Sequence, residues 1–181
     1  MKNLFLILAL VVIFSCPVLA QVTGYVENQL TFVGSEVTSN IDLYLSGSIV
    51  GKLGWSAWSL SGQYWSEAYV GSTFSPTPWS QLGVFYGVES ANPAGRYATS
   101  LWFGIDEVSF LYIYEDGGSG SWYRAVGNFN LLNEFGLGFV GQRCLGNGPR
   151  VQINAGKFVG WATTLQKNGT STELVGIRYT F

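Results

Sequence analysis

Apolar and polar residues alternate along almost the whole chain, in runs of about ten residues that are typical of strands. In the run IDLYLSGSIV, the apolar Ile41, Leu43 and Leu45 share one parity, while the polar Asp42 and Ser46 share the other. Successive side chains of a strand point to opposite faces, so this pattern predicts strands with one apolar and one polar face. No stretch of useful length has the period of about 3.6 residues that indicates a helix. The pattern therefore predicts an all-β fold.

Clusters of Gly, Pro, Asn, Asp and Ser interrupt the alternation and divide the chain into about twelve strands. Longer polar breaks (GSEVTSN, SANPAG, DGGSGS, LGNGP and QKNGTS) alternate with mostly shorter ones (GKLG, SPTP, IDE, LLN and GKFVG). This alternation is typical of an antiparallel up-and-down barrel with long loops at one end and short turns at the other. Barrels of about eight or ten longer strands with internal bulges are the alternatives, because twelve strands leave little chain for loops.

The amino-acid composition indicates that the predicted barrel lies in a membrane. The chain has 181 residues, of which 48% are hydrophobic and only 11% are charged. Ordinary soluble domains have roughly a quarter of their residues charged. Beyond the N-terminal segment, no apolar run reaches the roughly 20 residues that a membrane-spanning helix needs. A transmembrane β-barrel explains these properties, because its outer band is apolar and its inner face is polar without many charges.

Residues 1–20 have the features of a secretory signal peptide. Lys2 supplies a positive charge, residues 4–14 are uninterrupted apolar, and Ala20 precedes the predicted cleavage before Gln21. The short apolar run also leaves open a membrane anchor, although it is below the length of a full span. We therefore expect residues 21–181 to form a single transmembrane β-barrel domain.

The two cysteines offer no disulfide framework. Cys16 lies within the predicted signal peptide, where a lipoprotein cysteine is an alternative that its neighbours Phe14 and Pro17 fit poorly. If Cys16 is removed, Cys144 is alone and no intrachain disulfide can form. Cys144 is interpreted as a small filler residue, with an intermolecular bond as the alternative.

Most charged residues take the polar parity of their strands. At the middle of a bilayer, an Arg or Lys on the lipid-facing side costs about 2–4 kcal/mol, so the polar parity is predicted to face the lumen. The predicted lumen-lining charges are Glu27, Asp42, Glu67, Glu89, Arg96, Arg124, Glu134, Arg150 and Arg178. Tryptophans and tyrosines near strand ends match the aromatic girdles of the membrane interface. The formal net charge of −2 is too small to indicate nucleic acid as a partner.

The last strand has a specific pattern. Val175, Ile177, Tyr179 and Phe181 share one parity, and Phe181 ends the chain. Together with the signal peptide and the alternating strands, this strand resembles bacterial outer-membrane β-barrel proteins, in particular small porin-like barrels; no subfamily is assigned. In that superfamily the last strand commonly ends in Phe, with apolar or aromatic residues two, four and six positions earlier. The resemblance implies that these four residues are read by the barrel-assembly machinery and that the protein lies in the bacterial outer membrane.

Catalysis is not expected. The chain contains no histidine, whereas the outer-membrane barrel enzymes resemble one another in relying on a catalytic histidine. A nucleophilic serine also needs a neighbouring base, for which histidine is the usual residue. The acidic pairs 106–107 and 115–116 are interpreted as solvated turn residues, because neighbours on a strand point to opposite faces. The segment EDGGSG lacks a full calcium-loop pattern, so no cofactor or metal is expected.

Two functions remain for such a barrel. The first is a small passive channel for ions or small polar solutes, because barrel bore grows with strand number and twelve strands lie between filled and wide barrels. The second is a closed structural or adhesion barrel that presents its loops to a partner. Inward packing of Tyr44, Tyr69, Phe85 and Trp102 would favour the closed barrel. The sequence identifies neither a protein partner nor an oligomeric state.

Overall fold

The computed structural model describes residues 22–91 and 94–181, so the predicted signal peptide and Cys16 lie outside the described residues. The described residues form twelve strands. Nowhere in these two ranges is there a helix long and apolar enough to cross a membrane. The strands are β1 (Thr23–Val33), β2 (Glu36–Val50), β3 (Leu53–Gly62), β4 (Ser66–Thr77), β5 (Ser80–Glu89), β6 (Gly95–Ile105), β7 (Val108–Gly117), β8 (Trp122–Asn130), β9 (Phe135–Gln142), β10 (Gly146–Ala155), β11 (Phe158–Lys167) and β12 (Thr170–Thr180).

Each strand pairs antiparallel with its neighbours in sequence, and β1 pairs with β12 to close the barrel. In this closing pair Tyr25 lies opposite Thr180, and Phe32 lies opposite Glu173. The backbone N–H of Phe181 donates a hydrogen bond to the Gly24 carbonyl over 3.0 Å. Closure removes the two exposed edges that an open sheet would present. The predicted all-β, antiparallel, twelve-stranded up-and-down barrel is thus confirmed, and the eight- and ten-stranded alternatives are wrong.

Several of the predicted long loops are much shorter than expected, although the connections β5–β6 and β7–β8 remain longer than most turns at the opposite end. The segments GSEVTSN and LGNGP were expected to be loops, but β2 already begins at Glu36 and β10 at Gly146. The reason is that backbone pairing does not require apolar side chains, so polar strand ends continue the ladder. In QKNGTS only Asn168 and Gly169 remain outside the strands, and both have positive φ, as a tight Asn-Gly hairpin turn requires.

The outer face of the barrel is an apolar band. Its exposed apolar side chains come from almost every strand and include Val70, Val84, Ile153, Val175 and Ile177. The opposite parity faces inward, where even ionisable side chains are buried: Glu27, Arg96 and Glu115 are at most 2% exposed. The alternation seen in the sequence therefore separates an apolar outside from a polar inside.

Two groups of apolar side chains fill parts of the interior. One consists of Val126, Val140, Trp161, Leu165 and Leu174. The other consists of Tyr69, Phe85 and Ala98 with Trp58 against them, and the ring centroid of Trp58 lies 4.5 Å from that of Tyr69.

Small residues create the room for the second group. A Cβ atom on Gly87 would come within 2.4 Å of the Tyr69 ring, and a Cβ on Gly83 would come equally close to the Phe85 ring. The neighbouring glycines of β5 therefore let large rings lie flat against the inner wall.

Candidate functional site

The interior of the barrel brings together most of the charges that the alternation assigned to one face. Register and burial put eight of the nine predicted residues on the inward face: Glu27, Asp42, Glu67, Glu89, Arg96, Arg124, Arg150 and Arg178. They form two groups at different levels of the barrel, which differ in how their charges are paired.

Glu134 is the exception, and the structure corrects its predicted position. It lies in the connection between β8 and β9 and is exposed. The backbone N–H groups of Leu131 and Leu132 both donate to the Phe135 carbonyl, which closes a turn around this segment. The apolar alternation that continues into β9 made Glu134 look like a strand residue, although this turn precedes the strand.

The first group, the rim cluster, consists of Glu67, Tyr69, Glu89, Arg96 and Glu115. These residues lie near the strand ends furthest from the two chain termini: Glu89 is the last residue of β5 and Arg96 is the second of β6. The cluster joins four successive strands through a single guanidinium group.

Every nitrogen of the Arg96 guanidinium has a partner. Its Nη1 donates to Glu89 Oε2 over 2.5 Å, and its Nη2 donates to Glu115 Oε2 over 3.2 Å. Its Nε donates to the Tyr69 hydroxyl over 2.7 Å, and Glu67 Oε2 lies 3.8 Å from the same nitrogen. The side chains of these charged residues are at most 8% exposed, so the cluster is a buried and nearly saturated network.

Two members of the rim cluster were missed by sequence reasoning. Glu115 was read as a solvated turn residue, but it is 2% exposed and also accepts a hydrogen bond from Tyr69 over 2.7 Å. Because β7 continues to Gly117, Glu115 lies two residues inside the strand. The second is Tyr69, which the sequence offered only as apolar packing. A parity count along β7 would have put Glu115 on the same face as Ile113.

The second group, the central cluster, consists of Glu27, Arg124, Arg150, Trp161 and Arg178. Glu27 Oε2 accepts hydrogen bonds from Arg178 Nε over 2.8 Å and from the Trp161 indole N–H over 3.0 Å. The Arg150 guanidinium lies over the Trp161 ring at 4.3 Å from its centroid, and that of Arg124 lies 5.9 Å from it. Trp161 therefore lies next to two arginines, Arg124 and Arg150, and to the carboxylate of Glu27.

The arginines of the central cluster are not saturated. Arg150 is only 3% exposed, yet its Nε has no hydrogen-bond partner within the described part of the chain, and the same holds for Arg124 Nε. Asp42 lies beside the cluster, opposite Glu27 in the pairing of β1 with β2. The inward charges here are thus three arginines and two carboxylates, with guanidinium donors left over for an anionic group.

A polar recess occupies the interior at the end where the chain termini lie. Hydroxyl and amide side chains line much of it: Thr23, Ser46, Ser48, Thr73, Ser75 and Gln81. Lys52 also lines this recess, and its ammonium group donates a hydrogen bond to the Pro76 carbonyl over 2.6 Å. The described residues contain no group of three His, Cys, Asp or Glu side chains arranged to hold a metal ion.

The four C-terminal residues singled out in the sequence face outward. Val175, Ile177 and Phe181 are exposed on the apolar band, and the Tyr179 ring packs against that of Phe158 with centroids 5.0 Å apart. Their role in assembly stays a prediction.

Comparison with known proteins identifies the fold. No protein-family model matches the chain, and no curated protein matches it. Among solved structures, it is similar to the KdgM porin (TM-score 0.61, 11% identity, 87% of this chain and 99% of that one). The same porin in complex with disordered oligogalacturonate matches with a TM-score of 0.59 at 11% identity, over 88% of this chain and 99% of that one.

Two further structures share the architecture. The NanC porin matches with a TM-score of 0.52 at 11% identity, over 86% of this chain and 98% of that one. The Acinetobacter baumannii outer membrane protein Omp33 matches with a TM-score of 0.56 at 9% identity, over 89% of this chain and 98% of that one. The structural neighbours of this chain are thus bacterial outer-membrane porins, and what the chain shares with them at this identity is the closed barrel fold.

Proposed function

We propose that this protein is a porin-like passive channel of the bacterial outer membrane for ions or small polar solutes. One observation carries the proposal: the outward face is an apolar band, whereas the inward face holds charged side chains, including arginine donors that have no partner among the described residues. A charged inner wall is costly unless water or a polar solute reaches it. A polar interior inside an apolar outer band is the arrangement of membrane channels built from strands.

The same proposal includes the location and the partners. The exposed apolar band would contact the lipid bilayer of the outer membrane, and the barrel-assembly machinery would read Val175, Ile177, Tyr179 and Phe181 during insertion. The outward orientation of the terminal residues and the fold shared with outer-membrane porins support this location. A secretory signal in residues 1–20 would deliver the chain across the inner membrane.

Anions are the solutes that the interior favours. The rim cluster combines three carboxylates with one arginine, but that arginine is saturated, so it offers few free groups to a solute. Within the described part of the chain, Arg124 and Arg150 of the central cluster each keep an Nε donor without a partner, and arginine binds carboxylates and phosphates through such donors. The KdgM porin has a solved structure in complex with disordered oligogalacturonate, which supports anionic saccharides as candidate solutes for this barrel.

The decisive experiment is conductance of the purified, refolded protein in a planar bilayer under a salt gradient. We expect steady single-channel steps and a reversal potential on the anion-selective side. A reversal potential on the cation side would contradict anion preference while keeping the channel. A silent bilayer with verified insertion would contradict the channel itself.

A closed structural barrel is the second candidate, and the interior packing supports it. Tyr69 and Phe85 are at most 6% exposed and pack with Trp58 inside the wall, while Tyr44 donates or accepts a hydrogen bond with the buried Ser56 over 3.0 Å. In contrast, the inward-facing Trp102 of β6 is 37% exposed, so this side chain does not fill the interior as a closed barrel would require. The short connections argue against a large loop surface for adhesion. Catalysis is not part of the proposal, because the chain has no histidine to act as a base.

A further inference from the structure

The connection between β7 and β8, residues 118–121, turns inward over the rim cluster. The backbone N–H of Ser119 donates to Glu89 Oε1 over 2.6 Å, and its hydroxyl donates to Glu89 Oε2 over 2.8 Å. Arg96 Nη1 in turn donates to the Ser119 hydroxyl over 2.5 Å. Glu89 belongs to β5, so this connection reaches past β6 to bind a side chain two strands away from its own hairpin.

A second connection approaches the same arginine from the other side. Trp65 lies between β3 and β4, and its ring centroid is 6.0 Å from the Arg96 guanidinium carbon. Its backbone carbonyl accepts a hydrogen bond from the Gly62 N–H over 2.8 Å, which orients this short turn. Arg96 is only 1% exposed although it is the second residue of its strand. The two connections therefore cover it, where a strand end would otherwise be open to solvent.

The β7–β8 connection has the composition of a movable segment. Residues 118–121 are only glycine and serine, and Gly120 has a φ of +96° with nothing within 4 Å of a Cβ placed on it. Glycines on both sides of Ser119 allow backbone conformations that other residues avoid. The one other side chain of this segment is that of Ser121, which binds Arg143 rather than the rim cluster.

We propose that residues 118–121 form a lid over the mouth of the barrel on its β4–β7 side, held closed by a latch that consists of the hydrogen bonds of the Ser119 hydroxyl with Glu89 and Arg96. Releasing the latch would let the connection swing away from the mouth and widen the entry to the interior. Gly118 and Ser121 of the lid bond to Gly95 and Arg143, whereas Ser119 bonds to a carboxylate and a guanidinium that already serve the rim cluster. Because three carboxylates share that one guanidinium, the lid competes with the wall for the same charged groups. This inference rests on the proposed channel function, since a lid matters only where there is an entry.

The test uses Ser119→Ala, with Ser121→Ala as the matched control. Ser121 lies in the same connection, but it binds Arg143 rather than the rim cluster. Both variants are checked for folding by the change in gel migration on boiling. We expect Ser119→Ala to give a larger single-channel conductance or fewer closures than the wild type, and Ser121→Ala to match the wild type.

A second readout does not need conduction. Ser100 lies on the inward face of β6, is half-buried and lies outside the aromatic group around Tyr69. In a Cys144→Ser background, Ser100→Cys should react with a small water-soluble maleimide several-fold faster when Ser119→Ala is added, but not when Ser121→Ala is added.

The two readouts separate the lid from the channel. A conducting wild type with unchanged conductance and labelling in Ser119→Ala overturns the lid and keeps the channel. Bilayers that stay silent for all variants contradict the channel; faster labelling in Ser119→Ala would still support the lid over a closed interior. Equal labelling in silent barrels overturns the lid as well.

Discussion

Arg96 and Arg150 both face the interior and are both at most 3% exposed, yet their surroundings differ. Arg96 is bonded at every nitrogen and ties four strands and a connection together. Arg150 rests on the face of Trp161, and its Nε has no hydrogen-bond partner among the described residues. The donors of Arg96 are therefore occupied by hydrogen bonds within the barrel wall, whereas Arg150 keeps a donor available for a ligand.

The difference assigns separate tasks to the two clusters. A buried charge without its partner is strongly unfavourable, so a saturated network resists being opened. An unsaturated guanidinium instead gains from any anion that enters and supplies the missing acceptor. We therefore expect changes in the rim cluster to affect stability first, and changes in the central cluster to affect selectivity first.

The largest effect is expected from Arg96→Met. The substitution leaves Glu67, Glu89 and Glu115 buried without the cation that all three share, and breaking a buried pair in this way costs about 3–5 kcal/mol. The measurement is the free energy of unfolding of the refolded barrel in urea, in vesicles. Arg143→Met is the control, because Arg143 lies in an exposed connection. Equal stability of the two variants would contradict the structural task of the rim cluster.

Glu27→Gln should have an intermediate effect and sharpen the comparison. It removes the charge that Arg178 and Trp161 share, but the amide oxygen of glutamine can still accept a hydrogen bond, so these two bonds are weakened rather than lost. It also removes one of the two carboxylates near three arginines. We expect a moderate loss of stability together with a reversal potential shifted further to the anion side. An unchanged reversal potential would mean that the central cluster does not face the permeating solute.

The fold could be predicted from the sequence because the alternation has a period of two, which separates outside from inside without any knowledge of contacts. The same alternation failed along β7, where Leu111 and Ile113 face inward while Phe110 and Tyr112 face outward. With apolar residues on both parities, the strand gave no sign of its inner face, and Glu115 was read as part of a turn.

Pairing within the interior could not be predicted either. Glu27 and Arg178 are 151 positions apart and meet only because β1 closes on β12. The Tyr69 hydroxyl reaches Glu115 from a strand 46 positions earlier. Parity indicates that such residues share a face, but shear and closure of the barrel determine which of them touch.

A smaller effect is expected from Trp161→Phe. Phenylalanine keeps an aromatic face for Arg150 but cannot donate to Glu27, so the loss should be about 1.5–3 kcal/mol for one hydrogen bond to a charged group. The unfolding free energy in urea measures this loss, with the outward-facing Trp55→Phe as the control. A loss of stability as large as that of Arg96→Met would show that the central cluster also stabilises the barrel. The rim and central clusters would then not differ in their contribution to stability.

Arg150→Gln should have the smallest effect on stability and a clear one on selectivity. Its Nε has no hydrogen bond to lose within the described ranges, and the contact with Trp161 contributes about 0.5–2 kcal/mol. Removing its charge leaves Arg124 and Arg178 against Glu27 and Asp42, so the local charge becomes balanced and the reversal potential should move towards the non-selective value. Arg143→Gln removes the same charge from an exposed connection and should leave the reversal potential unchanged. If Arg150→Gln unfolds the barrel, the central cluster would be structural rather than selective. If Arg143→Gln shifts the reversal potential, the permeation path would have to run along the surface connections rather than past Trp161.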